Sequence, residues 1–153
     1  MSKKIYSIDD MKGDLLEIFR VMNDDYWSPD VILGIGRGGY IPAVYTSQWL
    51  NKPLHAYHYS IRDMERRDRF NPDLIEACSN KKVLVIDDIC DVGNTFASIK
   101  GVLNQLHADS KFACLIYNIG EPHFQPDYWG TEINKTESPC WIVYPWEDWW
   151  KSR

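Results

Sequence analysis

The sequence predicts an α/β fold, in which a mainly parallel, twisted sheet is flanked by helices. Two observations predict it. The strand candidates, such as 31–35 and 82–86, are short and almost continuously apolar, and segments with helical apolar spacing alternate with them. Strands of a parallel sheet are buried on both faces, so their sequences read as unbroken apolar runs. A chain of 153 residues without a repeat or a linker also fits one compact domain, 1–153.

In the first half of the chain, Ser7-x-x-Asp10 resembles a capping box and predicts a helix that runs to about Met22. The apolar positions at helical spacing are Ile8, Met11, Leu15, Ile18 and Met22. The elements predicted next are a strand over 31–35, a helix from near Pro42 to Leu50, and a strand over 54–59. The helix is placed at Pro42 because proline is tolerated in a first helical turn.

In the second half, the charged stretch at about 60–72 has no core pattern and is interpreted as a mobile surface loop. The strand 82–86 is followed by a helix whose apolar positions are Phe96, Ile99, Leu103 and Leu106. Two further strands are predicted at 112–117 and 141–144.

Composition narrows the function. A net charge of −5 argues against binding nucleic acid or an anionic membrane, since both need a basic face. The 4 cysteines form no C-x-x-C pair and are interpreted as free thiols in a reducing compartment, and the histidines have no metal-ligand spacing. The N-terminus lacks the apolar core of a signal peptide and no run reaches membrane-spanning length, so a cytoplasmic protein is expected. The glycosylation pattern at 134–136 has no meaning in such a chain.

The stretch VLVIDDICDVGNT, residues 83–95, predicts an anion site. Residues 91–95 follow a strand and open a helix whose first N–H groups have no partner within the helix. Gly93 allows a ligand to approach the backbone, and Thr95 adds a hydroxyl. The neighbouring Asp87 and Asp88 suit sugar hydroxyls or a hard cation such as Mg²⁺, so a ribose 5-phosphate fits. An ordinary βα connection, with Asp87 and Asp91 as cap and loop residues, is the alternative.

A second glycine-rich turn lies in ILGIGRGGYIPA, residues 32–43. Its glycines expose backbone N–H groups, and Arg37 offers a bidentate grip on phosphate oxygens. Two anion sites fit a substrate that carries both a monophosphate and a pyrophosphate. Taken alone, this segment is also compatible with a simple tight turn.

Together, these two segments resemble the phosphoribosyl pyrophosphate (PRPP) motif and the pyrophosphate loop of type I phosphoribosyltransferases. Members of that family use Mg²⁺ and PRPP to attach ribose 5-phosphate to a base. The resemblance implies that Asp87 and Asp88 hold the ribose hydroxyls and a metal ion, and that Asp91 is the catalytic base. It further implies a set of PRPP-binding backbone and side-chain groups: Arg37, Gly38, Gly39, Val92, Gly93, Asn94 and Thr95.

The segments PDYW (126–129) and CWIVYPWED (140–148) resemble the C-terminal region of xanthine–guanine and related purine phosphoribosyltransferases. The resemblance implies a small C-terminal hood, about 126–148, that contributes to the base site. Trp141 would stack on the purine, the Ile142 backbone would meet the base edge, and Glu147 or Asp148 would help to hold a second Mg²⁺. Trp149 and Trp150 lie beyond the matched segment and are expected to fill a core or an interface.

One departure from the family pattern concerns the base. In YNIGEP, Asn118 occupies the position where 6-oxopurine enzymes usually carry a lysine. An amide both donates and accepts hydrogen bonds, so the preferred base stays open. The loop at 60–72 is expected to close over the reaction centre, and none of its residues is assigned a catalytic role.

The predicted function is Mg²⁺-dependent transfer of ribose 5-phosphate from PRPP to a purine by a homodimer or homotetramer. Three alternatives remain. The first is a non-catalytic regulator that senses PRPP or nucleotides on the same fold, and the second is an enzyme for a different base. The third is a Mg²⁺-dependent phosphatase with Asp87 or Asp88 as nucleophile, which leaves the glycine-rich turn and the C-terminal segment unexplained.

Overall fold

The computed structural model describes residues 1–58, 70–120 and 123–152. Its elements, in chain order, are β1 (Ser2–Ile5), α1 (Ile8–Asp24), β2 (Val31–Ile35), α2 (Gly36–Leu50), β3 (Leu54–Tyr57), α3 (Pro72–Cys78), β4 (Lys82–Cys90), α4 (Asn94–Gln105), β5 (Asp109–Asn118), β6 (Tyr128–Ile133) and β7 (Cys140–Val143). Within these ranges, no helix is long and apolar enough to cross a membrane.

The main sheet has 5 strands in the order β3-β2-β4-β5-β6, and every neighbouring pair is parallel. A second sheet of 2 strands joins β1 to β7, also in parallel. The predicted α/β fold with a mainly parallel sheet is therefore confirmed. In the main sheet β4 is central, which places its carboxyl end between those of β2 and β5.

The unbroken apolar runs are explained by two cores, one on each face of the main sheet. Leu84 and Ile86 face the core under α1 and α2, whereas Val83 and Val85 face the core under α3 and α4. All four side chains are at most 1% exposed. Alternation along a strand sends successive side chains to opposite faces, and here both faces are covered.

The start of α1 is confirmed in detail. The Asp10 N–H donates to Ser7 Oγ at 3.0 Å, and the Ser7 N–H donates to the Asp10 carboxylate at 2.9 Å, which completes the capping box. The helix ends at Asp24, close to the predicted end at Met22.

The predicted start of α2 near Pro42 is wrong, because the helix begins at Gly36 directly after β2. Gly36 has a φ of +58°, a left-handed conformation that lets the chain pass from strand to helix without a loop. Pro42 lies inside the helix, and Thr46 Oγ1 donates to the Pro42 carbonyl at 2.8 Å. The glycine-rich turn is thus the first turn of a helix.

Three elements were not predicted: β1, α3 and β6. The prediction of a loop at 60–72 falls largely on residues outside the described ranges, but its end is wrong. Phe70 is buried against Tyr57, with ring centroids 4.9 Å apart. Pro72 is the first residue of α3, and the Asn71 side chain caps this helix by accepting from the Leu74 N–H at 2.9 Å. The remaining strand predictions hold with shifted ends, since β3 stops at Tyr57 and β4 continues past Ile86 to Cys90.

We expect Gly34→Ala to destabilise the fold. A Cβ atom at Gly34 would lie 2.8 Å from Ala43 Cβ and 3.0 Å from Tyr40 Cα, so β2 and α2 would have to separate. Such overpacking costs roughly 1–3 kcal/mol, measurable as a lower urea midpoint. Gly13→Ala is the matched control. Nothing lies within 4 Å of its added Cβ, so the substitution at this exposed position of α1 should raise stability by about 1 kcal/mol. Equal midpoints for the two variants would contradict the packing argument.

Candidate active site

A cleft of about 1160 Å³ opens at the carboxyl ends of β2 and β4. Its walls are the first turn of α2, the two acids on β4, and the C-terminal segment after β7. The predicted site residues that line it are Arg37, Gly38, Asp87, Asp88, Glu147 and Asp148. In parallel α/β sheets, ligands bind at this edge, and the cleft is therefore the candidate active site.

The glycines of the α2 turn lie directly against the acids. A Cβ atom at Gly38 would be 2.4 Å from Asp88 Oδ2, and one at Gly39 would be 2.5 Å from the Ile86 carbonyl oxygen. At Gly39 the backbone of β4 leaves no room for a side chain, and at Gly38 a side chain would displace the Asp88 carboxylate. This packing brings the N–H groups that open α2 next to the carboxylates at the end of β4.

Asp87 and Asp88 are strongly perturbed. Burial, followed by the charge of Asp88, raises the pKa of Asp87 well above its usual range, and burial also raises the pKa of Asp88. Asp87 Oδ1 accepts from Asp88 N–H at 2.8 Å, and Asp88 Oδ1 accepts from Ile89 N–H at 2.8 Å. No cation among the described residues forms an ion pair with either acid, so a pair of carboxylates lacks a counter-charge there.

This donor set fits Mg²⁺. The described ranges contain no group of three or more His, Cys, Asp or Glu side chains placed to hold a metal ion. Mg²⁺, however, is typically bound by one or two carboxylates together with substrate phosphates and water. Two half-buried carboxylates beside the glycine-rich turn of α2 provide such ligands, and Glu147 and Asp148 line the same cleft.

The loop that opens α4 has a glycine in a left-handed conformation at the helix N-cap. Gly93 adopts a left-handed φ of +88° at the N-cap, and no side chain caps the helix there. The N–H groups at the start of α4 are thus free of a side-chain partner from the cap residue. A Cβ atom at Gly93 would lie 2.6 Å from Phe124 Cβ, which gives a second reason for glycine at this position.

Asp91 lies beside this turn, with both carboxylate oxygens in contact with donors. Asn118 Nδ2 donates to Oδ1 at 2.8 Å, and Lys135 Nζ donates to Oδ2 at 3.0 Å. The Asp91 side chain is nevertheless 46% exposed. The carboxylate predicted to act as the base is therefore accessible and held in one orientation.

The structure places the two predicted base-binding side chains differently. Asn118 lies at the end of β5, is only 4% exposed, and donates a hydrogen bond to Asp91. Trp141 is 57% exposed on β7, beside Lys3 of β1, and does not line the cleft. Ile142 is buried in the core at 5% exposure, so only its backbone is suited to meeting a ligand.

Sequence reasoning missed several residues of the site. Tyr144 donates to the Asp88 carbonyl at 3.1 Å and stacks on Trp146, which lines the cleft. Trp150, expected as a core or interface residue, also lines the cleft. Lys135 was noticed only as part of a glycosylation pattern, because the strand that precedes it, β6, was not predicted.

The comparisons with known proteins agree with this geometry. The family model "Phosphoribosyl transferase domain" matches residues 2–147. The chain is 28% identical to a xanthine-guanine phosphoribosyltransferase of Chromohalobacter salexigens, over 76% of this chain and 67% of that one. A purine phosphoribosyltransferase from Pyrococcus horikoshii superposes with a TM-score of 0.73 at 27% identity, covering 97% of this chain and 96% of that one. A hypothetical protein from Neisseria gonorrhoeae with bound ppGpp superposes with a TM-score of 0.74 at 25% identity, covering 96% and 90%.

Fold and cleft define an α/β protein whose parallel sheet carries an acid pair and a glycine-rich turn at the carboxyl ends of its strands. The chain belongs to the phosphoribosyltransferase family. The resemblance stated from the sequence is confirmed, and so is the class of enzyme, a transferase that is similar to purine phosphoribosyltransferases.

We expect Asp87→Asn to raise thermal stability at pH 8. Because the folded-state pKa of Asp87 is raised, ionising this carboxyl lowers stability as the pH rises from about 4 towards the folded value. The amide removes that charge and keeps the acceptor for Asp88 N–H. The expected gain is about 3 °C or more, which corresponds to roughly 1 kcal/mol in a domain of this size.

Differential scanning fluorimetry at pH 8 and pH 4 tests this expectation, since the gain should disappear at the lower pH. The exposed Glu137→Gln is the control and should change neither value. A lower melting temperature for Asp87→Asn at pH 8 would show that the carboxylate stabilises the fold.

Proposed function

We propose that the protein transfers ribose 5-phosphate from PRPP to a 6-oxopurine, hypoxanthine, guanine or xanthine, in cytoplasmic purine salvage. The products are the nucleoside monophosphate and pyrophosphate. The observation that carries the proposal is that the acid pair of β4 and the glycine-rich turn of α2 share one cleft. The named relatives, which include xanthine-guanine and purine phosphoribosyltransferases, support the choice of base.

In this mechanism the PRPP-binding residues act by holding each part of PRPP in place. The N–H groups of 92–95 bind the 5′-phosphate, Asp87 and Asp88 accept hydrogen bonds from the ribose hydroxyls, and the 37–39 turn binds the pyrophosphate. Bound Mg²⁺ supplies neutralising charge for the departing pyrophosphate, and Asp87 and Asp88 would hold it, with Glu147 or Asp148 at a second ion.

The reaction itself is a displacement at C1′ of the ribose. The purine nitrogen forms the new bond as the C1′–oxygen bond to pyrophosphate breaks, and Asp91 accepts the proton that the base loses. The stacking and backbone contacts proposed for Trp141 and Ile142 would orient the ring. Asn118 acts through Asp91, since its amide holds that carboxylate in place.

The proposal is tested by one assay with several bases. Purified protein, PRPP and Mg²⁺ are offered hypoxanthine, guanine, xanthine, adenine and uracil, and pyrophosphate release is recorded. Turnover of one or more oxopurines is expected. Turnover of adenine or uracil alone would support the class of enzyme but contradict the proposed 6-oxopurine substrate. Omission of Mg²⁺ should abolish the reaction.

We expect Asp91→Asn to lower kcat by about 10²- to 10⁴-fold, the usual contribution of a positioned base, and to leave the Kd for PRPP nearly unchanged. The reason is that the amide still accepts one of the two hydrogen bonds at this position but takes up no proton. Steady-state kinetics and calorimetric titration with PRPP separate the two effects. Equal losses in turnover and in PRPP binding would remove Asp91 from the role of base.

A second candidate function is nucleotide sensing without catalysis. It is favoured by the two separate phosphate turns, at 37–39 and 91–95, and by the similar protein that holds ppGpp. ppGpp carries two diphosphate groups and a guanine. Tight binding of ppGpp with no turnover of any base would establish this function in place of the first.

We also propose that the protein works as a homodimer or homotetramer. The large rings of Trp49 and Trp149 are 63% and 71% exposed, which is unusual for a surface without a partner. Sedimentation velocity would show a species heavier than one chain, and a single monomeric boundary at micromolar concentration would contradict self-association.

A further inference from the structure

We infer that Tyr144 is a positioning residue that sets the spacing between the two acid pairs of the cleft, and that it thereby determines how tightly the cleft binds divalent cations. The pairs are Asp87 with Asp88 on β4, and Glu147 with Asp148 after β7. The inference rests on the proposed function, which assigns Mg²⁺ to these acids, and it adds a residue that is itself buried behind them. Its starting point is that Tyr144 is hydrogen-bonded to both of the segments that carry the acids.

One contact of Tyr144 is with the peptide group between Asp88 and Ile89. The Tyr144 hydroxyl donates to the carbonyl oxygen of that peptide at 3.1 Å. The N–H group of the same peptide donates to the Asp88 carboxylate at 2.8 Å. Among the described residues, β2 pairs with β4 only as far as Ile86, so this part of β4 lacks a strand partner on one side. The tyrosine hydroxyl therefore anchors the peptide that orients the Asp88 carboxylate.

The other contact of Tyr144 leads to the C-terminal acids. The Glu147 N–H donates to the Tyr144 carbonyl oxygen at 3.1 Å, which closes a turn over residues 144–147, and Asp148 follows directly. One tyrosine thus joins the turn that carries the C-terminal acids to the strand that carries the other pair.

Ring packing holds Tyr144 in place between these two contacts. Its side chain is 3% exposed, stacks on Trp146 with ring centroids 4.8 Å apart, and packs edge-on against Tyr6. The Trp146 indole N–H is buried and has no hydrogen-bond partner in the described part of the chain, so stacking on Tyr144 orients this wall of the cleft. Loss of the Tyr144 hydroxyl alone would therefore release the peptide after Asp88 and leave the ring in place.

The spacing of the acids matters because Mg²⁺ tolerates little variation in its ligands. It requires near-octahedral geometry, and groups that orient metal ligands typically contribute about 10- to 100-fold to metal affinity or activity. Carboxylates also repel one another when they are ionised, which would drive the two pairs apart. Hydrogen bonds from one buried residue to both segments oppose that repulsion.

Tyr144→Phe tests the inference, and Tyr128→Phe is the matched control. Both variants keep a buried ring and lose one hydroxyl hydrogen bond, and the bond lost at Tyr128 is to Asp25, 2.6 Å away and outside the cleft. Mn²⁺ serves as the probe, and its binding to the protein without substrates is followed by electron paramagnetic resonance. We expect Tyr144→Phe to weaken Mn²⁺ binding by about 10- to 100-fold and Tyr128→Phe to leave it unchanged.

The Mg²⁺ requirement of the reaction gives a second readout. In Tyr144→Phe the Mg²⁺ concentration for half-maximal turnover should rise by a similar factor, and saturating Mg²⁺ should restore the wild-type kcat. A kcat that stays low at saturating Mg²⁺ would indicate a purely structural loss and would overturn the inference. So would an unchanged Mn²⁺ affinity in Tyr144→Phe, an equal loss in both variants, or no saturable Mn²⁺ binding by the wild-type protein.

Mn²⁺ binding also separates this inference from the proposed function, because it requires no turnover. If no base is turned over but the Mn²⁺ affinity depends on the Tyr144 hydroxyl, the proposed function fails while the inference stands. If bases are turned over and Tyr144→Phe changes neither the Mn²⁺ affinity nor the Mg²⁺ requirement, the inference fails alone.

Discussion

The candidate active site is arranged around two neighbouring carboxylates held at the point where the central strand leaves the apolar core. β4 is buried on both faces as far as Ile86, and Asp87 and Asp88 follow at once, where burial makes both harder to ionise. The acids lie against the start of α2, where Gly38 and Gly39 leave room for them. A binding site that is incomplete without its ligand is a common cause of local instability in enzymes.

The small sheet supports the same site from the other side. Tyr144 follows β7, donates to the Asp88 carbonyl, and packs edge-on against Tyr6, with ring centroids 5.2 Å apart. The Tyr6 hydroxyl in turn donates to Asp14 of α1, which also accepts from Thr131 of β6 at 2.7 Å. The C-terminal wall of the cleft is therefore tied to the first helix and the last strand of the main sheet by buried polar contacts, and such networks tend to fix one arrangement.

The fold class and the core of the site could be predicted because their signals are local. VLVIDDICDVGNT contains its strand, its acids, its turn and its helix start within one continuous segment, and the glycine-rich turn does the same. By contrast, β1 is a charged and fully exposed strand, and only its pairing with β7 explains it. The start of α2 was misplaced because the glycines, usually poor helix formers, are selected there for their small size. The contact between Lys135 and Asp91 could not be predicted, because the two residues are distant in sequence and follow strands that are two positions apart in the sheet.

The pairing of β1 with β7 has a consequence for how the protein is made. Residues 2–5 lie beside residues 140–143, so this contact closes a loop that contains almost the whole chain. The entropic cost of closing a long loop slows such contacts, and during synthesis the β7 segment emerges after all five strands of the main sheet. The nascent chain can build its glycine-rich turns and central strands early, but the wall that carries Glu147 and Asp148 can form only after β7 has emerged. The cleft therefore gains its C-terminal wall late in folding, when β7 pairs with β1.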